Sequence, residues 1–171
     1  MRAGADAVKM QNTQNIDLLV SALVDLIGFL NSPQRDEALL REAGVDLDRA
    51  LFPLLVRLGW QSPLSVGALA DQAGRDHTTV SRQLAKLARL GLVESRRSPS
   101  DRRSRAAELT AEGRSAVAAI TRARHRLLTA ALEDWSATDQ SALAALNRRF
   151  ADALIALARL RDRRVAVGEG G

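Results

Sequence analysis

Apolar residues at Ile16, Leu19, Val20, Leu23, Leu26, Ile27 and Leu30 recur at three- and four-residue intervals, which places one apolar stripe on a first helix from about Asn12 to Leu30. Asn31, Ser32 and Pro33 end it, and a polar stretch runs from Gln34 to Asp48. Leu51, Leu54, Leu55 and Leu58 mark a second helix closing at Gly59, with Pro53 in its first turn, where a missing N–H costs little. Toward the C-terminus, Val117, Ile120, Arg124, Leu127, Leu128, Ala131 and Trp135 outline a long helix. Leu143, Leu146, Phe150, Leu154, Leu157 and Leu160 outline another. The stripes on the terminal helices are wide, so the simplest burial packs first and last helices together across two chains, a homodimer; an intramolecular three-helix bundle is the alternative. The first ten or so residues and Arg161–Gly171 are charged, Gly-bearing ends expected to be mobile.

Between Ser62 and Thr110 the spacing changes. Leu64, Val66, Leu69 and Ala70 begin a short helix that ends at Ala73 and Gly74. Asp76 then offers an N-cap for a new helix with Val80, Leu84 and Leu87 on its inner face. This is a helix, a tight turn and a helix. Gly91 suits the left-handed cap that closes the second of them, and Leu92 and Val93 open a strand. A hairpin follows, with Ser98, Pro99, Ser100 and Asp101 at its tip and a return strand from about Arg105 to Leu109. Thr110 and Glu112 start the long helix.

Composition narrows the chemistry. The 171 residues hold five aromatic side chains, Phe29, Phe52, Phe150, Trp60 and Trp135, and no Tyr, which argues against a sheet-rich sandwich or barrel. The absence of Cys excludes thiolate zinc sites, iron–sulfur clusters, disulfides and thiol redox sensing by this chain. Asp17, Asp25, Arg57 and Asp71 interrupt the longest apolar runs, so no membrane-spanning segment and no membrane partner is expected. The net charge is +5, carried almost wholly by Arg, since Lys occurs only at Lys9 and Lys86. From Arg75 to Arg105 nine cations oppose three carboxylates, giving +6, more than the whole chain. Positive charge is therefore concentrated on the helix-turn-helix and hairpin, as a polyanion-binding element requires. The outward positions of the second helix, His77, Thr78, Thr79, Ser81, Arg82, Gln83 and Lys86, are short hydrogen-bonding groups and cations suited to base edges and phosphates.

The segment LSVGALADQAGRDHTTVSRQLAKLARLGLVESRRSPSDRRSRAAELTAEG resembles the winged helix-turn-helix core of the multiple antibiotic resistance regulator (MarR) family. The resemblance covers about Leu51 to Arg126 and is carried by LARLGLVES, SDRRS and ELTAEG in order. It implies a mainly α fold with a small β-wing, in which N- and C-terminal helices form a dimerisation domain. The corresponding divisions are an N-terminal dimerisation helix and connection over 11–48, the DNA-binding region over 49–110, C-terminal dimerisation helices over 111–160 and a tail over 161–171. It implies a cytoplasmic bacterial transcription factor, usually a repressor, that binds double-stranded DNA at a pseudo-palindromic operator as a homodimer. The matching recognition-helix positions are His77, Thr78, Thr79, Ser81 and Arg82, with Lys86 one turn further on. The family's Asp-x-Arg wing motif falls on Asp101 and Arg103, which puts Arg103 in the minor groove and gives Asp101 the task of orienting an arginine. Arg96, Arg97, Arg102 and Arg105 are the phosphate neighbours. Family members often bind small aromatic or lipophilic anions in a cleft between the dimer helices and the winged domain, where Phe29, Phe52 and Trp60 of this chain are candidates; simple core packing is the alternative. Two positions depart from the family pattern: Ala73, where a larger apolar residue is common, and Arg75, where an apolar turn residue is common. Arg75 either reaches a phosphate or snorkels to solvent.

No catalytic constellation accompanies these features. The two histidines, His77 and His125, lie on the nucleic-acid face and between two arginines on a helix, and no nucleotide-binding glycine motif is present. A non-enzymatic protein without cofactors is expected. Two readings compete with a ligand-released operator-binding regulator: a ligand-independent or nucleoid-type DNA-binding protein, and a winged-helix module for protein interaction.

Overall fold

The computed structural model describes the backbone at residues 2–97 and 105–168 and the side chains at 11–96 and 106–158. Its described elements are α1 (Arg2–Leu30), α2 (Pro33–Ala43), α3 (Phe52–Trp60), β1 (Leu64–Ser65), α4 (Val66–Ala73), α5 (His77–Arg89), β2 (Val93–Arg97), β3 (Arg105–Leu109), α6 (Ala111–Ala131) and α7 (Ala137–Gly168). This is the mainly helical fold with a small β-wing that the hydrophobic pattern implies. Residues 1–125 and 126–171 form two compact units, the division falling inside α6.

In the first unit, Pro33 has two roles. It closes the run of α1 and stands at the start of α2, where its absent N–H would be unpaired in any case. The polar stretch after Pro33, where the sequence pattern marks no helix, is helical, with Leu39 and Leu40 buried in the core and Ala43 packed against it. Gly44 ends it at φ 66°, its N–H donating to the Arg41 carbonyl and that of Val45 to the Leu40 carbonyl, both at 3.0 Å. The apolar turn of α3 then inserts Leu54, Leu55 and Leu58, each fully buried.

Leu64 and Ser65, expected to begin a helix, instead form a short edge strand. The sheet order is β1-β3-β2, antiparallel throughout, with Leu64 opposite Ala107 and Ser65 opposite Ala106. Ser65 is strand and helix cap at once, its hydroxyl accepting from the Ala68 N–H at 3.1 Å to start α4. In the hairpin, β2 and β3 pair from Val93 opposite Leu109 to Arg97 opposite Arg105. Val93, Ala107 and Leu109 enter the core with Leu51, Leu69, Val80, Leu87 and Ile120, so the wing strands and α6 share one leucine-rich interior with the helix-turn-helix.

Thr110 joins the hairpin to α6. Its hydroxyl donates to the Gly91 carbonyl at 2.6 Å and accepts from the Gly113 N–H at 3.0 Å, while its own N–H donates to the Leu92 carbonyl at 3.2 Å. The second unit is helical. The Ser136 hydroxyl accepts from the Asp139 N–H at 3.1 Å and donates to the Asp139 carboxylate at 2.6 Å, a reciprocal cap that starts α7. Both terminal helices extend beyond the apolar stripes that announce them, α1 back to Arg2 and α7 on to Gly168, while Trp135 falls past the end of α6. One expectation is corrected: Gln11–Leu30 is long and apolar enough to cross a bilayer, since two carboxylates in 20 residues do not offset its aliphatic content. The same exposed aliphatic surface suits burial against another helix.

Gly113 gives the fold a specific test. A Cβ there would collide with the backbone carbonyl of Leu92, which the Thr110 N–H holds in place. Gly113→Ala should therefore destabilise the protein by about 1–3 kcal/mol in equilibrium urea unfolding, although Ala is the better helix former by about 1 kcal/mol. A gain in stability would show that the hairpin and α6 are less tightly apposed.

Candidate nucleic-acid interface

Asp76 adopts extended dihedrals, φ −68° and ψ 151°, and its carboxylate caps α5. One oxygen accepts from the Thr79 N–H at 2.8 Å and the other from the Thr79 hydroxyl at 2.6 Å. These bonds, the hydroxyl first and the backbone N–H second, hold the Asp76 carboxyl below the usual aspartate value. From that cap the helix turns Val80, Leu84 and Leu87 into the core. His77, Thr78, Ser81, Arg82 and Lys86 consequently project outward and are exposed.

Two residues expected on the outer face are not free. Thr79 is half-buried and its hydroxyl is committed to Asp76. Gln83 is half-buried as well, its Nε2 donating to the Ala50 carbonyl at 3.0 Å and its Oε1 accepting from Arg75 Nη1 at 2.8 Å. Arg75 Nη1 also donates to the Ala50 carbonyl at 3.2 Å. The guanidinium thus takes neither of the roles read from the sequence: it links the turn before α5 to the connection before α3. Ala50 lies 25 residues before Arg75, so no local spacing signals this contact.

On the wing, Arg96 is exposed and its Nε lies 3.1 Å from Glu94 Oε1 and 3.3 Å from Glu108 Oε2. These carboxylates already neutralise part of its charge. Arg97 and Arg105 face each other at the end of the described ladder. Asp101, Arg102 and Arg103 lie outside the described residues. No group of three or more His, Asp or Glu that could hold a metal ion occurs among the described residues.

The family model for MarR matches residues 47–104, the span that contains α3, the helix-turn-helix and β2. Residues 47–104 thus resemble a MarR family domain. Solved structures agree over a longer span. A MarR family protein from Bacillus stearothermophilus is 21% identical, with a TM-score of 0.65, covering 81% of this chain and 97% of that one. A MarR transcriptional regulator from Methanosarcina mazei is 20% identical, with a TM-score of 0.61, covering 81% and 97%. At these identities the likeness is one of fold. A probable transcriptional regulator from Pseudomonas aeruginosa is 29% identical, with a TM-score of 0.51, covering 75% of this chain and 98% of that one. No curated protein matches the chain significantly.

An open cleft of about 650 Å³ reaches from the end of α1 to the turn before α5. Phe52 and Val56 supply apolar wall, and Arg49, Arg57 and Arg75 supply cationic groups beside Asp36 and Asp48. Asp36 titrates above the usual aspartate value because burial raises it more than Arg49 and Arg124 lower it. Of the three aromatic residues expected in a ligand cleft, this one contains only Phe52, itself 7% exposed. Phe29 is half-exposed beneath the Arg35 guanidinium, 3.4 Å from the ring centroid, and Trp60 is 76% exposed.

The capping geometry predicts a titration shift. Thr79→Val removes the hydroxyl that contributes most to Asp76's depression, so NMR titration should place Asp76 closer to 3.8 in the variant than in the parent. Because the folded value is depressed, the stabilisation from this cap is present above the unfolded value and is lost as pH falls through the folded one. An Asp76 titration unchanged in the variant would refute the assigned cap.

Proposed function

We propose that this protein is a sequence-specific DNA-binding transcriptional repressor that acts as a homodimer on a pseudo-palindromic operator in the bacterial cytoplasm. The observation that carries the reading is the division of α5. Val80, Leu84 and Leu87 are buried, which leaves His77, Thr78, Ser81, Arg82 and Lys86 exposed along the opposite face of a MarR domain. In this reading the N-terminal half of α5 enters the major groove, where short polar groups and a guanidinium reach base edges. Thr79 serves the cap rather than the bases. Lys86 and the wing cations Arg96, Arg97, Arg102 and Arg105 neutralise phosphates, and Arg103, oriented by Asp101, reads a narrow minor groove.

Dimerisation is supported by the aliphatic surface left on the single chain. Leu18, Val24, Ile27 and Leu30 on α1 are each at least 56% exposed, as is Leu146 on α7, a density of apolar surface that a second copy would remove from water. The cleft between α1 and the turn before α5 supports release by a small aromatic anion, with Phe52 as apolar wall and Arg49 and Arg57 as counter-charges. Such a ligand acts only through tighter binding to the arrangement that does not bind DNA.

Fluorescence anisotropy with a duplex selected from a random pool and a scrambled control, each over a salt series, tests the reading. The parent should prefer the selected duplex by about 10³-fold or more. Arg82→Ala should weaken selected-duplex binding by about 5- to 150-fold, the equivalent of one lost bidentate base contact. Arg103→Ala should weaken binding mainly where the flanks are A·T-rich. Equal, steeply salt-dependent binding to both duplexes would favour a nucleoid-type role, and parental affinity in both variants would refute the assigned DNA face.

A further inference from the structure

Apolar packing fixes only coarsely how α5 is turned about its own axis. Val80, Leu84 and Leu87 set its depth through apolar contacts, which are non-directional. A rotation of about 15° on a helix roughly 10–12 Å across moves side-chain tips by about 1.5 Å. That displacement is enough to spoil a base-edge hydrogen bond, whose useful range spans only a few tenths of an ångström. A base-reading helix therefore needs a directional constraint beside its apolar stripe.

The triangle of Arg75, Gln83 and the Ala50 carbonyl has the geometry of such a constraint. Gln83 sits on the flank of α5, between outward-facing Arg82 and buried Leu84. Its amide is held at both ends, by the Ala50 carbonyl at 3.0 Å and the Arg75 guanidinium at 2.8 Å. Ala50 is itself tied down, its N–H donating to Asp48 Oδ1 at 2.8 Å immediately before α3. The latch therefore joins the second turn of α5 to the scaffold outside the helix-turn-helix. Arg75 Nη1 is engaged with two acceptors inside the protein, an orientation that favours holding the helix over contacting a phosphate.

We propose that Arg75 and Gln83 are positioning residues for DNA reading, fixing the rotation of α5 through the Ala50 carbonyl without touching DNA themselves. The proposal rests on the DNA-binding reading above. Its test compares Arg75→Ala, Arg75→Lys, Gln83→Ala and the Arg75→Ala/Gln83→Ala pair with the parent, using the selected and scrambled duplexes over a salt series, with thermal unfolding in parallel.

Arg75→Ala and Gln83→Ala should each lose about tenfold in affinity for the selected duplex, within the range of one misaligned base contact. Affinity for the scrambled duplex and the salt slope should be unchanged. The pair should lose no more than either single variant, as expected for one shared network, and Arg75→Lys, which retains a cationic donor, should recover most of the loss. A salt slope reduced by about one in Arg75→Ala, with both duplexes weakened, would make Arg75 a phosphate ligand and overturn the proposal. Equal weakening of both duplexes that tracks a lowered Tm would also overturn it, as the mark of a merely structural role. If the parent discriminates between the duplexes and the variants discriminate equally well, this proposal alone fails. If the parent shows no preferred duplex, the DNA-binding reading fails and the proposal falls with it.

Discussion

The arrangement depends first on the burial of one stripe of one helix. Val80, Leu84 and Leu87 of α5 enter a core already filled by Leu54, Leu55, Leu58 and Leu69. Fully burying such a side chain is worth about 1.5–3 kcal/mol. The side chains between them are then directed outward, because a helix that hides the stripe at 80, 84 and 87 presents 78, 81, 82 and 86 on other sides. His77, Thr78, Ser81, Arg82 and Lys86 are available to a partner as a consequence of where the leucines go.

Apolar burial sets position and coarse rotation but not fine rotation or length, and polar groups at the edges of the core supply both. Asp76 satisfies the first turn of α5 through Thr79. Thr110 ties the hairpin to α6 through Gly91 and Gly113. Ser65 ends an edge strand and starts α4. Each device uses one short side chain to complete backbone groups that would otherwise lack partners, and each stands at a junction between two elements. Arg75 and Gln83 perform the same task over a longer span, which is why they need longer side chains.

These differences explain what could be read from the sequence. The helix-turn-helix, its cap at Asp76, the helix end at Gly74, the left-handed glycine at Gly91 and the return strand at Arg105–Leu109 are encoded locally, in spacings of a few residues, and were legible. The helix α2 was obscured because Pro33 reads equally as a stop and as a first helical residue, and because its core contacts are few, Leu39, Leu40 and Ala43. Strand β1 was hidden because two residues become a strand only by meeting Ala106 and Ala107, some forty positions away. The roles of Gln83 and Arg75 depend on a partner at Ala50 that tertiary packing brings to them; residue type alone marked Gln83 as a nucleic-acid contact and left Arg75 between a phosphate and solvent. Of the aromatic residues grouped by type as a ligand wall, Phe29, Phe52 and Trp60, only Phe52 lines the cleft.

Charge completes the account. The +6 between Arg75 and Arg105 is not a uniform field, since Arg75 is engaged internally and Arg96 sits between Glu94 and Glu108. What remains is carried by α5 and the wing, the two elements proposed to face DNA together. Hydrogen exchange of the protein with and without a selected duplex tests that arrangement most directly. A DNA face on α5 and the wing requires slowed exchange in the N-terminal half of α5 and along the hairpin strands; protection confined to α1, α2 and α7, with α5 exchanging as it does in the free protein, would rule that face out.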